Sequence, residues 1–471
     1  MRSRFATAFT IALVTLAGAA GQAAATPNSP AQDPFYSYSG STPLSQIPLG
    51  TVLNTRNFSF TPIIGGPLQL VNGVQLLYRT ENALDQPSVN VTSVLKPLFP
   101  NGNVVSYGSI YDSLNPVDDP SWQFHINSSS GSEATLDQAM MVPYLLAGDT
   151  VVVADTEGEN ADFAAGPEYG YNTLNALRAA FNASSSTGIK ANAKVALVGY
   201  SGGAIAADWA SQLAPSYAPD ISSHIVGTAM GGALVDPLHN LSYISGSKQW
   251  AGVMAQALIG LARAYNVDLS PYASAYGSQL FTSMQGDNIT QFESELPNLT
   301  WDKLVKPQYD NPASILPLVQ ISNQLIMGSG GTPSTKDPFY IAEGAGGSGD
   351  GTPAGGPGIG AGDGIMVLGD VQALANEYCK AGIPVKFDEL SGATHEEGGI
   401  YFTFAASAWV TFRFFGFPPS NSCGQIPAGN NIAPAPLPAA PSSTTGQASS
   451  VITTGDAQAN RAITIAVKPP L

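Results

Sequence analysis

The run Gly199-Tyr200-Ser201-Gly202-Gly203 is a G-x-S-x-G pattern. Glycine and serine are common, so the pattern alone says little, but its flanks say more. It directly follows the apolar run 194–198 (KVALV) and precedes the Ala-rich stretch 204–213 (AIAADWASQL). Strand, tight turn and helix together form the setting in which a serine is lifted onto a strained elbow above a sheet. Gly199 and Gly203 leave room for the helix to cross close to the strand. Ser201 then stands at a helix N-terminus, whose N–H groups favour a developing oxyanion. The bland alternative is a glycine-rich turn with an inert serine; the agreement of both flanks favours the nucleophile.

A serine hydroxyl needs a base. The chain has four histidines: His125, His224, His239 and His395. On sheets with such an elbow the chain order is serine, acid, histidine, which excludes His125. His224 opens an expected strand and reads as a packed or capping residue. His239 lies at the start of a helical region. His395 follows the strand-like PVKFDEL in the loop Gly392-Ala393-Thr394-His395, where a final strand delivers an imidazole to the sheet edge. The acid belongs between Ser201 and His395. The candidates are Asp350 in a glycine loop, Asp363 between glycines at a helix entry, and Asp370 inside that helix. Patterning favours Asp363.

The elements that must hold these residues alternate in type. Segments 68–78 and 88–95 are β-rich with turn residues between, so they read as a hairpin or two paired strands. Segments 104–111, 150–154, 194–198 and 225–230 read as buried strands, with a helix near 171–182. Alternation of this kind predicts an α/β fold with a mostly parallel sheet. From 236 to 328 no strong strand appears; helical stretches fall at 250–265, 272–283 and 314–327. This predicts a helical insertion of 236–328 into an α/β core of 61–235 and 329–430, although core helices of a larger sheet protein would read alike. The Gly-rich stretch 344–364 reads as a flexible loop, followed by a helix at 367–381, a strand at 384–390 and an aromatic helix near 402–415. Residues 26–60 read as a Pro/Ser-rich N-terminal arm, and 431–471 as a poorly ordered low-complexity tail.

The chain is 471 residues long, with 44% hydrophobic and only 11% charged residues, and carries a net charge of −16. That charge excludes a general nucleic-acid binder and disfavours anionic membranes. Arg2 and Arg4, the apolar stretch 6–20 and Ala23-Ala24-Ala25 follow the plan of a cleaved signal peptide over 1–25. The apolar stretch is short for a membrane span, so a soluble, secreted mature protein is expected. Cys379 and Cys423 are the two cysteines, and in an exported chain they most simply form one disulfide. Closing that 44-residue loop would contribute about 3–4 kcal/mol. They make a poor metal site, and nothing in the sequence calls for a metal or organic cofactor. Seven N-x-[ST] sequons, at Asn57, Asn90, Asn127, Asn182, Asn240, Asn288 and Asn298, are weak support for a eukaryotic secretory route and a glycoprotein.

The chain resembles the fungal secretory lipases, a family of the α/β-hydrolase superfamily. The likeness spans roughly 35–430. It rests on Gly199–Gly203 together with Asp363-Gly364-Ile365-Met366-Val367, Cys379 with Lys380-Ala381-Gly382, the strand to Leu390, and His395. Tyr111-Asp112, the stretch 145–158 (LLAGDTVVVADTEG) and Gly231-Gly232 also match the family plan. The resemblance implies a triad of Ser201, Asp363 and His395 and an oxyanion hole from the N–H groups of Asp112 and Gly202. It implies a cap formed by the insertion over an acyl tunnel, with 250–265 facing lipid, and a Cys379–Cys423 disulfide. It implies a monomeric serine lipase acting on triacylglycerol-type esters at a lipid–water interface. This chain departs from the family pattern in having no cysteine in 113–121 and in the glycine-rich stretch 344–361 before the acid. The rival readings are a carboxylesterase or acyltransferase on soluble esters, and an inactive hydrolase-fold protein that binds lipid.

Overall fold

The computed structural model describes residues 29–60, 71–126, 132–328 and 334–438. The expected signal peptide (1–25), residues 68–70 of the first expected strand, the sequon at Asn127 and most of the tail (439–471) lie outside the described residues.

Among the described residues nine strands form one sheet: β1 (Val52–Ser59), β2 (Val71–Glu81), β3 (Pro87–Pro97), β4 (Val104–Gly108), β5 (Thr150–Ala154), β6 (Val195–Tyr200), β7 (Ile225–Gly231), β8 (Phe339–Gly344) and β9 (Val385–Leu390). Their order is β1-β2-β3-β5-β4-β6-β7-β8-β9. β1 to β3 are antiparallel and β3 meets β5 antiparallel, but from β5 to β9 every pairing is parallel. The parallel strands are covered on both faces, which is why β5 and β6 are buried throughout and read in sequence as unbroken apolar runs. Helices Gly166–Asn182, Gly202–Tyr217 and Leu368–Lys380 pack on one face through Leu174, Ala204, Leu374 and Tyr378. Helices Ser132–Ala147 and His395–Phe414 pack on the other through Met141, Tyr144, Phe402 and Val410.

Several expectations need correction. The N-terminal arm is not only an arm: residues 52–59 are the edge strand β1, and Arg56 holds the preceding segment by an ion pair to Asp33 at 2.5 Å and by lying 4.0 Å over the Phe35 ring. The glycine stretch 344–364 is not a slack loop. Gly347 N donates to Gly362 O at 2.9 Å, Thr352 Oγ1 to Gly364 O at 2.7 Å, and Trp250 Nε1 to Asp350 Oδ2 at 3.0 Å. The start of the tail is also held: Ile432 is buried, and Ala435 N donates to Asn323 Oδ1 at 2.8 Å.

Between β7 and β8 the described residues are almost wholly helical, and they enclose a hydrophobic core of their own around Met254, Phe292, Leu304 and Val319. Trp250–Gly252 is a 3₁₀ turn leading into helix Val253–Ala264. That helix turns its apolar residues inward and not to solvent: Val253, Met254, Leu258, Ile259 and Leu261 are all buried. Its apolarity belongs to the interior of the insertion. Cys379 and Cys423 form a disulfide, with Cα atoms 5.5 Å apart, which ties the end of helix Leu368–Lys380 to the segment beyond the last helix.

Candidate active site

β6 ends at Tyr200 and the chain turns sharply at Ser201, whose φ of 54° and ψ of −124° are strained for a residue with a side chain. The turn is held by Ser201 N donating to Gly231 O at 3.0 Å. Glycines make the turn possible. A Cβ on Gly199 would stand 1.9 Å from Gly203 O, and one on Gly203 would stand 2.2 Å from Gly108 O. The helix Gly202–Tyr217 therefore starts against bare backbone of β4 and β6, and Ser201 projects beyond the C-terminal ends of the strands.

His395 was expected in a loop before a helix, but it is the first residue of helix His395–Phe414. Thr394 and Glu397 close a capping box there, with Thr394 N donating to Glu397 Oε2 at 3.0 Å. The Gly398-Gly399 pair lies inside this helix, against Tyr200. Tyr200 in turn donates to His395 O at 2.6 Å.

The two ring nitrogens of His395 look in opposite directions. Nε2 is 2.8 Å from Ser201 Oγ, and Nδ1 is 2.5 Å from Asp363 Oδ2. Asp363 is fully buried; its Oδ1 accepts from Ile365 N at 3.0 Å and Met366 N at 2.7 Å, and its carbonyl accepts from His395 N at 2.9 Å. The ring is confined on its other sides. Trp250 meets it edge-on at a centroid distance of 5.4 Å, and a Cβ on Gly232 would stand 2.6 Å from its Cε1. Burial alone would lower the His395 pKa, but the charge and hydrogen bond of Asp363, with Asp112 and Asp350 adding, raise it above the ordinary value.

Two cavities meet these residues. One of 560 Å³ is bounded by Ser201, His395, Trp250, Ile289, Ile400 and Phe404, a size suited to a small-molecule ligand. A narrower apolar one of 50 Å³ begins at Asp112 and Gly202 and runs between Ile205, Leu241, Leu258 and Met366. Asp112 is seated by the insertion: its carbonyl accepts from Gln256 Nε2 at 2.9 Å and from Ile289 N at 3.0 Å. Its carboxyl lies against Gly202, where a Cβ would meet Oδ1 at 1.9 Å. Among the described residues no group of His, Cys, Asp and Glu is arranged to hold a metal ion.

The remaining candidates take no part in the Ser201–His395–Asp363 hydrogen-bond chain. Asp350 bonds Trp250, and His224 packs on Phe181 with Nδ1 2.9 Å from Ala193 O. His125 packs against Trp122. His239 and Asp370 do come together, but with each other: Nδ1 is 3.0 Å from Asp370 Oδ1. Sequence reasoning did not find Trp250 beside the imidazole or Glu343 beside Asp363. Both meet the site through contacts far apart in the chain and carry no local signal.

The parallel sheet, the elbow after its central strand and the helical insertion after β7 define an α/β-hydrolase. The sequence profile of the secretory lipase family matches residues 122–287. It is 29% identical to Lipase 5 of Candida albicans over 426 residues, which is 86% of this chain and 85% of that one. It is 34% identical to a secreted triacylglycerol lipase of Malassezia furfur over 218 residues, 46% of this chain and 44% of the other. The crystal structure of Candida antarctica lipase A in its closed state superposes with a TM-score of 0.71 at 26% identity, covering 90% of this chain and 93% of that one.

Proposed function

We propose that this lipase hydrolyses carboxylic esters of the triacylglycerol class through an acyl-enzyme on Ser201. The observation that carries the reading is the unbroken hydrogen-bond chain from Ser201 Oγ through His395 to Asp363 at the wall of the larger cavity. His395 Nε2 takes the Ser201 proton as Oγ attacks the ester carbonyl carbon. Asp363 fixes the tautomer with the proton on Nδ1 and stabilises the imidazolium. The N–H groups of Asp112 and Gly202 receive the oxyanion, each donor contributing about 3–4 kcal/mol. His395 then protonates the leaving alcohol, and a water deprotonated by the same nitrogen releases the acid. The apolar cavity beyond Gly202 takes the first carbons of the acyl chain, and the insertion that closes it serves as the cap.

The approach to a lipid surface is supported by helix His395–Phe414, which is apolar on its outward face as well as its inward one. Ile400 (64% exposed) and Phe404 (67%) border the cavity, and Phe412 and Phe415 continue the outward stripe. No charged residue occurs from 398 to 412, so the stripe fits neutral lipid and not an anionic surface. Export of the chain, with cleavage before Thr26, and a monomeric state complete the proposal; no described helix is long and apolar enough to cross a membrane. N-terminal sequencing of protein recovered from culture medium tests the cleavage.

The decisive experiment is Ser201→Ala assayed on a soluble p-nitrophenyl ester, with a fluorophosphonate probe on the wild type. Loss of turnover with the fold retained, and labelling of Ser201, are expected. Turnover persisting in clean Ser201→Ala overturns the assignment, and an unlabelled wild type points to an inactive lipid binder. Replacing Phe412 and Phe415 by serine should weaken adsorption to neutral emulsions while leaving soluble-ester turnover unchanged. Equal adsorption in this variant favours an esterase acting on dissolved substrate.

A further inference from the structure

Asp363 has a second carboxyl for a neighbour. Glu343 is in the last turn of the pleat of β8, only 1% exposed, in the interior of the sheet edge that supports the site. Its Oε2 accepts from Ala233 N at 3.2 Å, and the backbone of Gly232 bonds it as well. Its Oε1 is buried and receives no hydrogen bond. The side chain it touches is Asp363, at hydrogen-bonding contact. The other titratable groups facing it are Tyr200 from β6 and Tyr243 from helix Pro237–Tyr243, and neither is a cation. His395 commits its Nδ1 to Asp363.

Two ionised carboxylates cannot share a dry contact; one proton between them turns repulsion into an O–H···O⁻ bond. Asp363 is the better placed of the two to hold the negative charge, because it accepts from Ile365 N, Met366 N and the imidazole. We infer that Glu343 is a positioning residue, held as a neutral carboxylic acid whose proton is donated in a hydrogen bond to the Asp363 carboxylate. Burial first, then the charge of Asp363, pushes the Glu343 carboxyl well above the ordinary range, in line with the contact geometry. The proton turns the contact into a hydrogen bond that holds the Asp363 carboxylate. It also ties Asp363 to the Gly232-Ala233 turn, whose first residue packs on the imidazole. Glu343 thereby limits how strongly Asp363 raises the basicity of His395.

The inference rests on the proposed triad, and the test separates the two. Glu343→Gln keeps a donor toward Asp363 and an acceptor for Ala233 N. It should retain kcat within about threefold, with the acid limb of kcat/KM unmoved, because an amide does not titrate and the acid it replaces keeps its proton. Glu343→Leu removes the donor. It should lower kcat by about 10–100-fold, the scale of a hydrogen bond to a charged group, and move the acid limb to higher pH. An infrared difference spectrum of wild type minus Glu343→Gln at neutral pH should show the carbonyl band of a protonated carboxylic acid. Damage in Glu343→Gln equal to that in Glu343→Leu would mean that an ionised carboxylate is required, and overturns the inference, as does absence of the band. An unmoved limb and unchanged kcat in Glu343→Leu would reduce Glu343 to a space-filler. If Glu343→Leu does not fold, the Glu343→Gln profile and the band decide alone. Failure of the triad itself would show separately, as wild-type Ser201 that the fluorophosphonate does not label.

Discussion

Two histidine–aspartate pairs occupy the C-terminal half of the sheet, and their inner geometry is nearly the same. His395 Nδ1 is 2.5 Å from Asp363, and His239 Nδ1 is 3.0 Å from Asp370. Both aspartates are buried and both histidines have raised pKa values. What differs lies outside the pair. The far nitrogen of His395 meets Ser201 on a strained elbow and a cavity beside it. His239 sits between Asp370 and Asp236, partly exposed, where the helical insertion leaves the core. Asp370 is shared there with Asn430 from the segment beyond the last helix, at 2.8 Å. In the proposed function one pair polarises a nucleophile; the other staples the insertion to helix Leu368–Lys380 and to the C-terminal segment. A histidine–aspartate contact therefore identifies nothing until its third partner is known.

The contrast can be broken most sharply at the aspartates. Asp363→Asn should lower kcat on a soluble ester by about 10⁴-fold, because the amide favours the wrong imidazole tautomer. Asp370→Asn should change kcat by less than about threefold and act on unfolding instead, by up to about 1–3 kcal/mol for a buried acceptor. Equal losses of kcat in the two variants would dissolve the distinction. Next in size is Gly232→Ala. The added carbon meets His395 Cε1, displaces the ring and should lower kcat by about 10²-fold, with no parallel effect on the His239 pair.

The pH dependences follow from the two raised histidines. His395 must be neutral to act as base, so the acid limb of kcat/KM should lie above about pH 6.5, the ordinary value for histidine. A limb at or below that value would argue against Asp363 as its partner. The smallest effect belongs to His239. Its pKa is raised first by the hydrogen bond to Asp370 and is opposed by desolvation. Stability from the pair is therefore full below about pH 6.5 and is lost as pH rises through the higher folded value. For a partly exposed pair this is at most about 1 kcal/mol. Urea titrations of His239→Gln at several pH values should show that slope flattened, with turnover intact.

The sequence made the parallel centre of the sheet legible because strands covered on both faces leave continuous apolar runs, as in TVVVA and KVALV. β1 was not legible: as an edge strand, VLNTRNFS mixes polar and apolar residues, and its order comes from Arg56 reaching Asp33 and Gln75. Helix Ser132–Ala147 has a proline, Pro143, in its interior, which ordinarily ends a helical pattern. For the site, the elbow is local and could be read from the twenty residues 194–213. The choice among Asp350, Asp363 and Asp370 leaned only on the glycines around Asp363, because each finds its partner only when the chain closes. Helix Val253–Ala264 and helix His395–Phe414 are both apolar in sequence, yet only the second shows an apolar face to water.

The sequons are where this fold makes a demand on the cell that produces it. Asn90 lies in β3 and is buried, with Nδ2 donating to Asp155 O at 2.6 Å. Asn240 is buried too, donating to Ile365 O at 2.5 Å, close to the loop that carries Asp363. Asn57, Asn182 and Asn298 are at the surface. A sugar tree at Asn57 or Asn298 stands in solvent, while one at Asn182 meets the Nδ2 bond to Gly50 O at 3.1 Å; one at Asn90 or Asn240 and the finished core exclude each other. In a host that glycosylates nascent chains, each molecule is thus settled by a race between oligosaccharide transfer and closure of the sheet, and the choice of expression host acts on yield before it acts on rate.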